Sequence, residues 1–398
     1  MQGADESPNP KKRRMTVVLA TFGGIVLAAI GFLNWQSRQL ARTITATQYA
    51  LATSDWSEAK SSAEAWAADA PNDGDAWIAL AEATRQLKQF DQTAEALGKV
   101  PANNPRYIKV LELRGDLLLS ELGRPLAAIE NWRQMLAIKP DHQLAHQRLI
   151  YVFALTQQRG ELVSQIQEAI SRNCETDEAY LYYMLASNLQ FSDGYLRITE
   201  WRRAHSDNPA LEVAQAIYAS RIPPSKSMSY FGEATIDAPK MLDECLQKYP
   251  QNPEILAFVM DREISNGEVD SLRARLEKLP ETTNSDHRFW RFRGWLAMAE
   301  QRSSEAISAY ETSLKLYPFD WRARHALATT LRLSNQPAHA EIQASLASRG
   351  KSLESQLLHL PNTVSLTPQL LMEMESYARD CGDETVAPAL KSKLTKSR

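Results

Sequence analysis

Residues 286–318 read DHRFWRFRGWLAMAEQRSSEAISAYETSLKLYP. Two helices are legible in this one stretch. Trp290, Arg293, Gly294 and Ala297 recur at i, i+3, i+4 and i+7, the spacing of one helix face. Ala306, Tyr310, Ser313 and Leu314 lay out a second helix, and Pro318 closes the unit. One hairpin cannot bury such faces by itself, so the pattern demands neighbours of the same kind.

Proline supplies the ruler that finds them. Pro71, Pro105 and Pro140 stand 34 and 35 residues apart, and Pro209 follows after 69, a gap that Cys174 divides into steps of 34 and 35. Pro250, Pro280 and Pro318 continue the series with altered spacing. Between Asp75 and Pro105 the content of a unit repeats. Trp77, Leu80, Ala81 and Thr84 form a helix face, Lys88-Gln89-Phe90-Asp91 is a polar break, and Thr93, Leu97 and Val100 face inward from a second helix.

These residues resemble the tetratricopeptide repeat, whose 34-residue unit has Trp, Leu and Gly early in its first helix, Ala and an aromatic in its second, and a closing Pro. Trp290, Gly294, Ala306, Tyr310 and Pro318 match at the family's spacing. Trp77, Leu80, Ala81 and Pro105 match in another copy, and Gly115, Ala128, Trp132 and Pro140 in a third with one inserted residue. Weaker copies carry Ala59 with Pro71, and Ala328 with Ala340. The resemblance implies an all-α fold: a right-handed superhelical solenoid of antiparallel helix pairs, about nine repeats over residues 38–350. Gly294 and Ala306 are small where two helices cross, and Trp290 and Tyr310 fill the gaps between hairpins. Two departures stand out. Arg197 occupies a position where a small residue is usual, and residues 221–239, with Pro223-Pro224 and Gly232, read as an inserted loop that carries Tyr230-Phe231.

The family's groove is lined by its first helices. Carried onto this chain, that implies Arg288, Arg291, Trp295, Arg322, His325 and Arg332 as partner-binding residues, with arginines suited to the carboxylates of an acidic segment or chain end. The family's carboxylate-clamp set of Lys and Asn is not found. The expected function is a protein–protein interaction scaffold that takes a peptide or helix in its concave groove. A chaperone-like assembly or quality-control factor for exported or envelope proteins uses the same fold and stays open.

The rest of the sequence narrows the classes. A net charge of -3 over 398 residues gives no basic surplus for nucleic acid. Cys174, Cys245 and Cys381 are odd in number and far apart, so no disulfide framework or C-x-x-C site is offered. His142 and His146 have an i, i+4 metal spacing but no third ligand nearby. Asp73/Asp75 and Asp243/Glu244 read as caps and solvated faces. No phosphate loop, dinucleotide fingerprint, zinc-protease or nucleophile-elbow motif occurs, so neither an enzyme, a metal nor a cofactor is expected.

Residues 1–14 are polar and end in Lys11-Lys12-Arg13-Arg14, and residues 15–37 carry no charge. Roughly 20 apolar residues span a bilayer core of about 30 Å, so residues 15–37 are read as a single transmembrane helix. A signal peptide, with its h-region of about 7–15 residues, fits less well. The basic tail places the N-terminus in the cytoplasm and the repeats outside it, on the plasma (inner) membrane. Ala20, Gly24 and Ala28 form a small-residue face that could pair two spans as a weak homodimer. After Gly350 the repeat fades. Thr367-Pro368 opens a helix with Leu370, Leu371, Met374 and Tyr377 on one face, and residues 351–398 read as a helical cap with a basic tail.

Overall fold

The computed structural model describes residues 31, 33–223, 236–360 and 366–396, and among them every regular element is a helix. The chain divides into two compact units, residues 1–122 and 123–398.

In the first unit a helix over residues 33–52 (α1) precedes α2 (Trp56–Asp69), α3 (Gly74–Gln86), α4 (Phe90–Gly98) and α5 (Tyr107–Ser120). Each packs on its chain neighbour from α2 onward. The core explains why. Ala63, Trp66, Ala67, Ala76, Ala79, Leu80, Ala96 and Leu97 are buried together, mostly methyl groups that let backbones approach. The few polar side chains inside are satisfied locally: Thr93 Oγ1 donates to Thr84 Oγ1 at 3.0 Å, and Trp66 Nε1 to Asp73 Oδ2 at 3.0 Å.

The second unit holds α6 (Pro125–Ile138), α7 (Gln143–Leu155), α8 (Arg159–Ser171), α9 (Asp177–Met184), α10 (Gly194–Ala204), α11 (Pro209–Arg221), α12 (Ala238–Lys248), α13 (Pro253–Asn266) and α14 (Val269–Leu276). After a 3₁₀ turn at Glu281–Ser285 come α15 (His287–Ala299), α16 (Ser303–Leu316), α17 (Trp321–Leu333), α18 (Pro337–Leu358), α19 (Pro368–Asp380) and α20 (Val386–Lys396).

Two joints recur at the repeat period. The first recurs between the paired helices of several hairpins. Ser54, Lys88, Gly123, Gln157, Gly267, Gln301 and Asn335 all have φ between 56 and 74°. At six of them the next N–H reaches the carbonyl five residues back, as Gln89 to Thr84 at 2.9 Å and Arg302 to Ala297 at 2.8 Å. That is the left-handed helix end, which satisfies carbonyls the helix leaves open. The second joins one hairpin to the next. Trp77, His146, Trp290 and Arg324, each fourth in its helix, donate to the carbonyls of Pro71, Pro140, Asn284 and Pro318, six residues earlier, at 2.8 to 3.0 Å. His146 is thereby explained: Nε2–H donates to the turn while Nδ1 accepts from Gln165 at 2.6 Å.

Gly294 behaves as its position predicts. A Cβ there would stand 2.6 Å from the ring of Tyr310, so the bare backbone is what lets α15 and α16 cross. Arg197 does not sit in such a crossing. It is exposed and pairs with Asp193 at 2.6 Å, while Ile198 turns inward.

An open array touches only neighbouring repeats, but here α9 and the turn after it meet distant ones. Tyr317 Oη lies 2.7 and 2.9 Å from the carbonyl oxygens of Tyr183 and Met184. Asn188 donates to Glu354 at 3.0 Å, and Lys393 pairs with Asp177 at 2.6 Å. Like any helix, α9 leaves its last carbonyls open, and Tyr317 Oη stands where it can donate to those of Tyr183 and Met184. α18 runs through Gly350 to Leu358, and Gly350 packs beneath Tyr377 and Trp321, where a Cβ would collide. α19 and α20 pack as a hairpin, and Thr367 Oγ1 accepts from Leu370 N–H at 3.2 Å.

In the expected loop 221–239, Arg221 ends α11 and Asp237 caps α12, while residues 224–235, with Tyr230 and Phe231, lie outside the described residues. The expected span at 15–37 lies outside them too, apart from residues 31 and 33–37, as do Ala20, Gly24 and Ala28. Among the described residues no helix is long and apolar enough to cross a membrane.

Candidate binding groove in the second unit

The first helices of four hairpins, α11, α13, α15 and α17, share one cavity of about 420 Å³. Helical spacing delivers Arg221, Phe258, Arg262, Arg291, Trp295 and Arg322 to its wall, and Ser187 and Asn188 enter from the turn after α9. The only carboxylate among its lining residues is Asp261.

Beneath the wall lies a buried ion network. Arg288, 7% exposed, is held by Asp286 at 2.6 Å and Glu254 at 2.7 Å. Burial opposes its charge, but Asp286 and Glu254 outweigh that and raise its pKa. Arg291, 8% exposed, pairs with Asp261 at 2.9 Å and Asp320 at 3.4 Å. Asp286 and Asp320 are also the N-caps of α15 and α17, accepting from Arg288 N–H and from Arg322 and Ala323 N–H. Burial works against both carboxylates, yet the arginines beside them hold both pKa values well below the usual range.

His287 sits fully buried in the middle. Its Nε2 is 2.9 Å from Ser187 Oγ and 3.3 Å from Asp320. Burial and then Arg159 push its pKa down to about 4, against the pull of Asp320 and Asp286, so the ring is neutral at pH 7. Its ring lies 4.5 Å from that of Tyr317, over which Arg159 stands at 5.2 Å.

The six residues expected to face a partner therefore separate. Arg291, Trp295 and Arg322 line the cavity together. Arg288 is turned into the network below, where its own carboxylates occupy it. His325 and Arg332 are exposed on α17 but do not line the cavity, and Arg332 stands 3.7 Å from Glu341. Arg322 is half open and bonded to Glu354 at 3.0 Å. Arg221, Phe258 and Arg262 escaped the sequence reading. Arg221 lies past the groove positions of its helix, and Phe258 and Arg262 sit beside those of α13. Ser187 and Asn188 could not be found from repeat spacing, because they arrive from a distant hairpin.

Other candidates have structural roles. Cys174 and Cys245 are buried thiols, and burial raises both, Cys245 to about 11. Among the described residues no group of three or more His, Cys, Asp or Glu could hold a metal ion.

No protein-family profile and no curated protein matches the sequence. Solved structures similar to the chain include a tetratricopeptide repeat protein from Parabacteroides merdae, at 14% identity over 74% of this chain and 99% of that one, TM-score 0.29. The APC/C hetero-tetramer Cut9-Hcn1 aligns at 12% identity over 90% of this chain and 79% of that one, TM-score 0.33. Yeast Tom70 aligns at 12% identity over 91% and 77%, TM-score 0.27. Scores this low leave the fold to be read from the chain's own helices.

Proposed function

We propose that this chain is a membrane-anchored scaffold for protein–protein interaction, binding a peptide or helix in the groove of its second unit. The observation that carries the reading is the shared cavity of about 420 Å³: first helices of successive hairpins place Trp295 and the half-open Arg322 on its wall, beside the largely buried, carboxylate-paired Arg291. A pocket in the ordinary size range for ligands, with an aromatic anchor and cations around it, suits a short segment of another protein. In this reading residues 15–37 tether the chain as a single span, with the basic tail in the cytoplasm and the repeats outside it.

Site-specific photo-crosslinking in native membranes tests this. A photoreactive residue replacing Trp295 should capture one partner, and the same residue replacing Trp290, which lines a different cavity, should not. Equal capture from both positions would sink the groove reading. Many weakly held clients at Trp295 would favour a holder of unfolded chains. Reporter fusions at the C-terminus check the orientation; activity on the cytoplasmic side would reverse it.

A further inference from the structure

Arg221 stands at the junction of two cavities. It lines the groove of about 420 Å³ and a neighbouring cavity of about 410 Å³ walled by Phe191, Tyr195, Tyr218 and Leu358. Its Nη1 donates to the carbonyl of Leu189 and to Gln157 Oε1, and its guanidinium lies 5.7 Å from the ring centre of Phe258. Burial pushes its pKa below the usual arginine value. Among the described residues no carboxylate pairs with it, and its Nε and Nη2 have no hydrogen bond. Arg288 and Arg291, by contrast, each hold two carboxylates.

A half-buried guanidinium with two open donors, and only the already bonded Asp261 acting on it as counter-charge, favours a ligand that brings a carboxylate. Among the described residues, Asp261 is the one carboxylate that acts on it, and burial outweighs that pull. Four arginines and one carboxylate line the groove, and that carboxylate, Asp261, is bonded to Arg291. Among the described residues no carboxylate lines the second cavity. Arg262, exposed on the groove wall, has no ion pair among the described residues.

We propose that Arg221 and Arg262 anchor an acidic peptide segment of the partner, its side-chain carboxylates taking the free edge of Arg221 while a neighbouring apolar residue enters the Phe191–Tyr195–Tyr218 cavity. This rests on the groove being a peptide site and names the chemistry of the peptide. Guanidinium and carboxylate match as a two-pronged pair. A peptide suits the site better than a small anion because two cavities share one anchor and apolar walls alternate with cations. A chain of net charge -3 has no general basic field to draw nucleic acid.

The test is fluorescence anisotropy on the full chain in detergent, with a dye-labelled peptide of alternating Glu and Leu and its Gln counterpart. The Glu peptide should bind and the Gln peptide should not. Arg221→Met and Arg262→Ser should each weaken binding by about tenfold, the size expected for a charge-assisted bond, and Trp295→Ala should weaken it as well. Undiminished binding by an Arg221→Met chain with unchanged far-ultraviolet circular dichroism would overturn the proposal. If that variant does not fold, Arg262→Ser decides alone, because its side chain is exposed. Loss of binding with Trp295→Ala but with neither arginine variant would keep the groove and remove the anchor. No capture from position 295 in membranes would remove the groove reading itself. An oligoribonucleotide that displaces the Glu peptide at lower concentration than the peptide needs would overturn the choice of a peptide.

Discussion

The hairpins of the first unit and those late in the second follow one repeat, yet their interiors are filled differently. Between α2, α3 and α4 the buried side chains are mainly alanine, leucine and tryptophan. Around α15 and α17, Asp286, His287, Arg288, Arg291 and Asp320 lie within or against the interior. Apolar packing rewards any arrangement that excludes water, whereas an ion network rewards only the one that pairs every charge. The network also lies where the turn after α9 reaches the late helices, so the less forgiving chemistry is placed at the long-range contact.

The contrast can be broken most directly by removing one charge from each unit. Asp320→Ala leaves Arg291 with one fewer partner and opens the cap of α17. It should cost the second unit about 3–5 kcal/mol, read by urea denaturation with hydrogen exchange assigning the loss. Asp75→Ala removes the exposed pair with Arg106 at 2.7 Å, and should cost less than about 1 kcal/mol. Equal losses would erase the distinction.

Acid should separate the units next. All 7 histidines lie beyond residue 122. The folded pKa of His287, about 4, is below its ordinary 6.5, so between those values the unfolded chain binds the extra proton. The contribution is intact above pH 6.5 and declines as pH falls toward 4, by up to about 3 kcal/mol at about 1.4 kcal/mol per unit. Melting followed by hydrogen exchange should show the second unit losing stability first, and His287→Gln should flatten its profile across that window. A His287→Gln profile identical to the parent would remove the histidine from the account.

Two smaller changes sharpen the repeat itself. Gly294→Val should destabilise the α15–α16 hairpin by about 1–3 kcal/mol through overpacking against Tyr310; an unchanged denaturation midpoint would contradict the crossing geometry. Gln301→Gly should raise stability by less than about 1 kcal/mol, since Gln301 holds φ of 60° in a region glycine enters freely. A loss there would mean that the Gln side chain contributes more than its backbone costs.

The same contrast sets how far the sequence could be read. Where interiors are apolar, spacing alone placed Trp77, Leu80, Ala81 and Thr84 on one face, and Gly294 against its neighbour helix. The hairpin-closing joint was hidden, because Ser54, Lys88, Gln157 and Gln301 stand where a left-handed residue is usually sought as glycine. At the candidate groove, it was the resemblance to the repeat family that singled out Arg291, Trp295 and Arg322, which line one cavity. It could not distinguish Arg288, which has the same spacing, because whether an arginine faces water or a carboxylate below depends on residues 34 positions away, such as Glu254. Ser187, Asn188 and Arg221 depend on long-range contact, which no local pattern carries.

The joint made by Trp77, His146, Trp290 and Arg324 has one further consequence. Indole, imidazole and guanidinium have little in common in shape or charge, yet each delivers an N–H to the same turn carbonyl. At these four joints what counts is a hydrogen to give away, and the group that gives it is interchangeable. The rule has a limit within the same chain: Val110, Glu212 and Leu256 stand fourth in α5, α11 and α13 and have no side-chain N–H to give, so those turns are held without this joint.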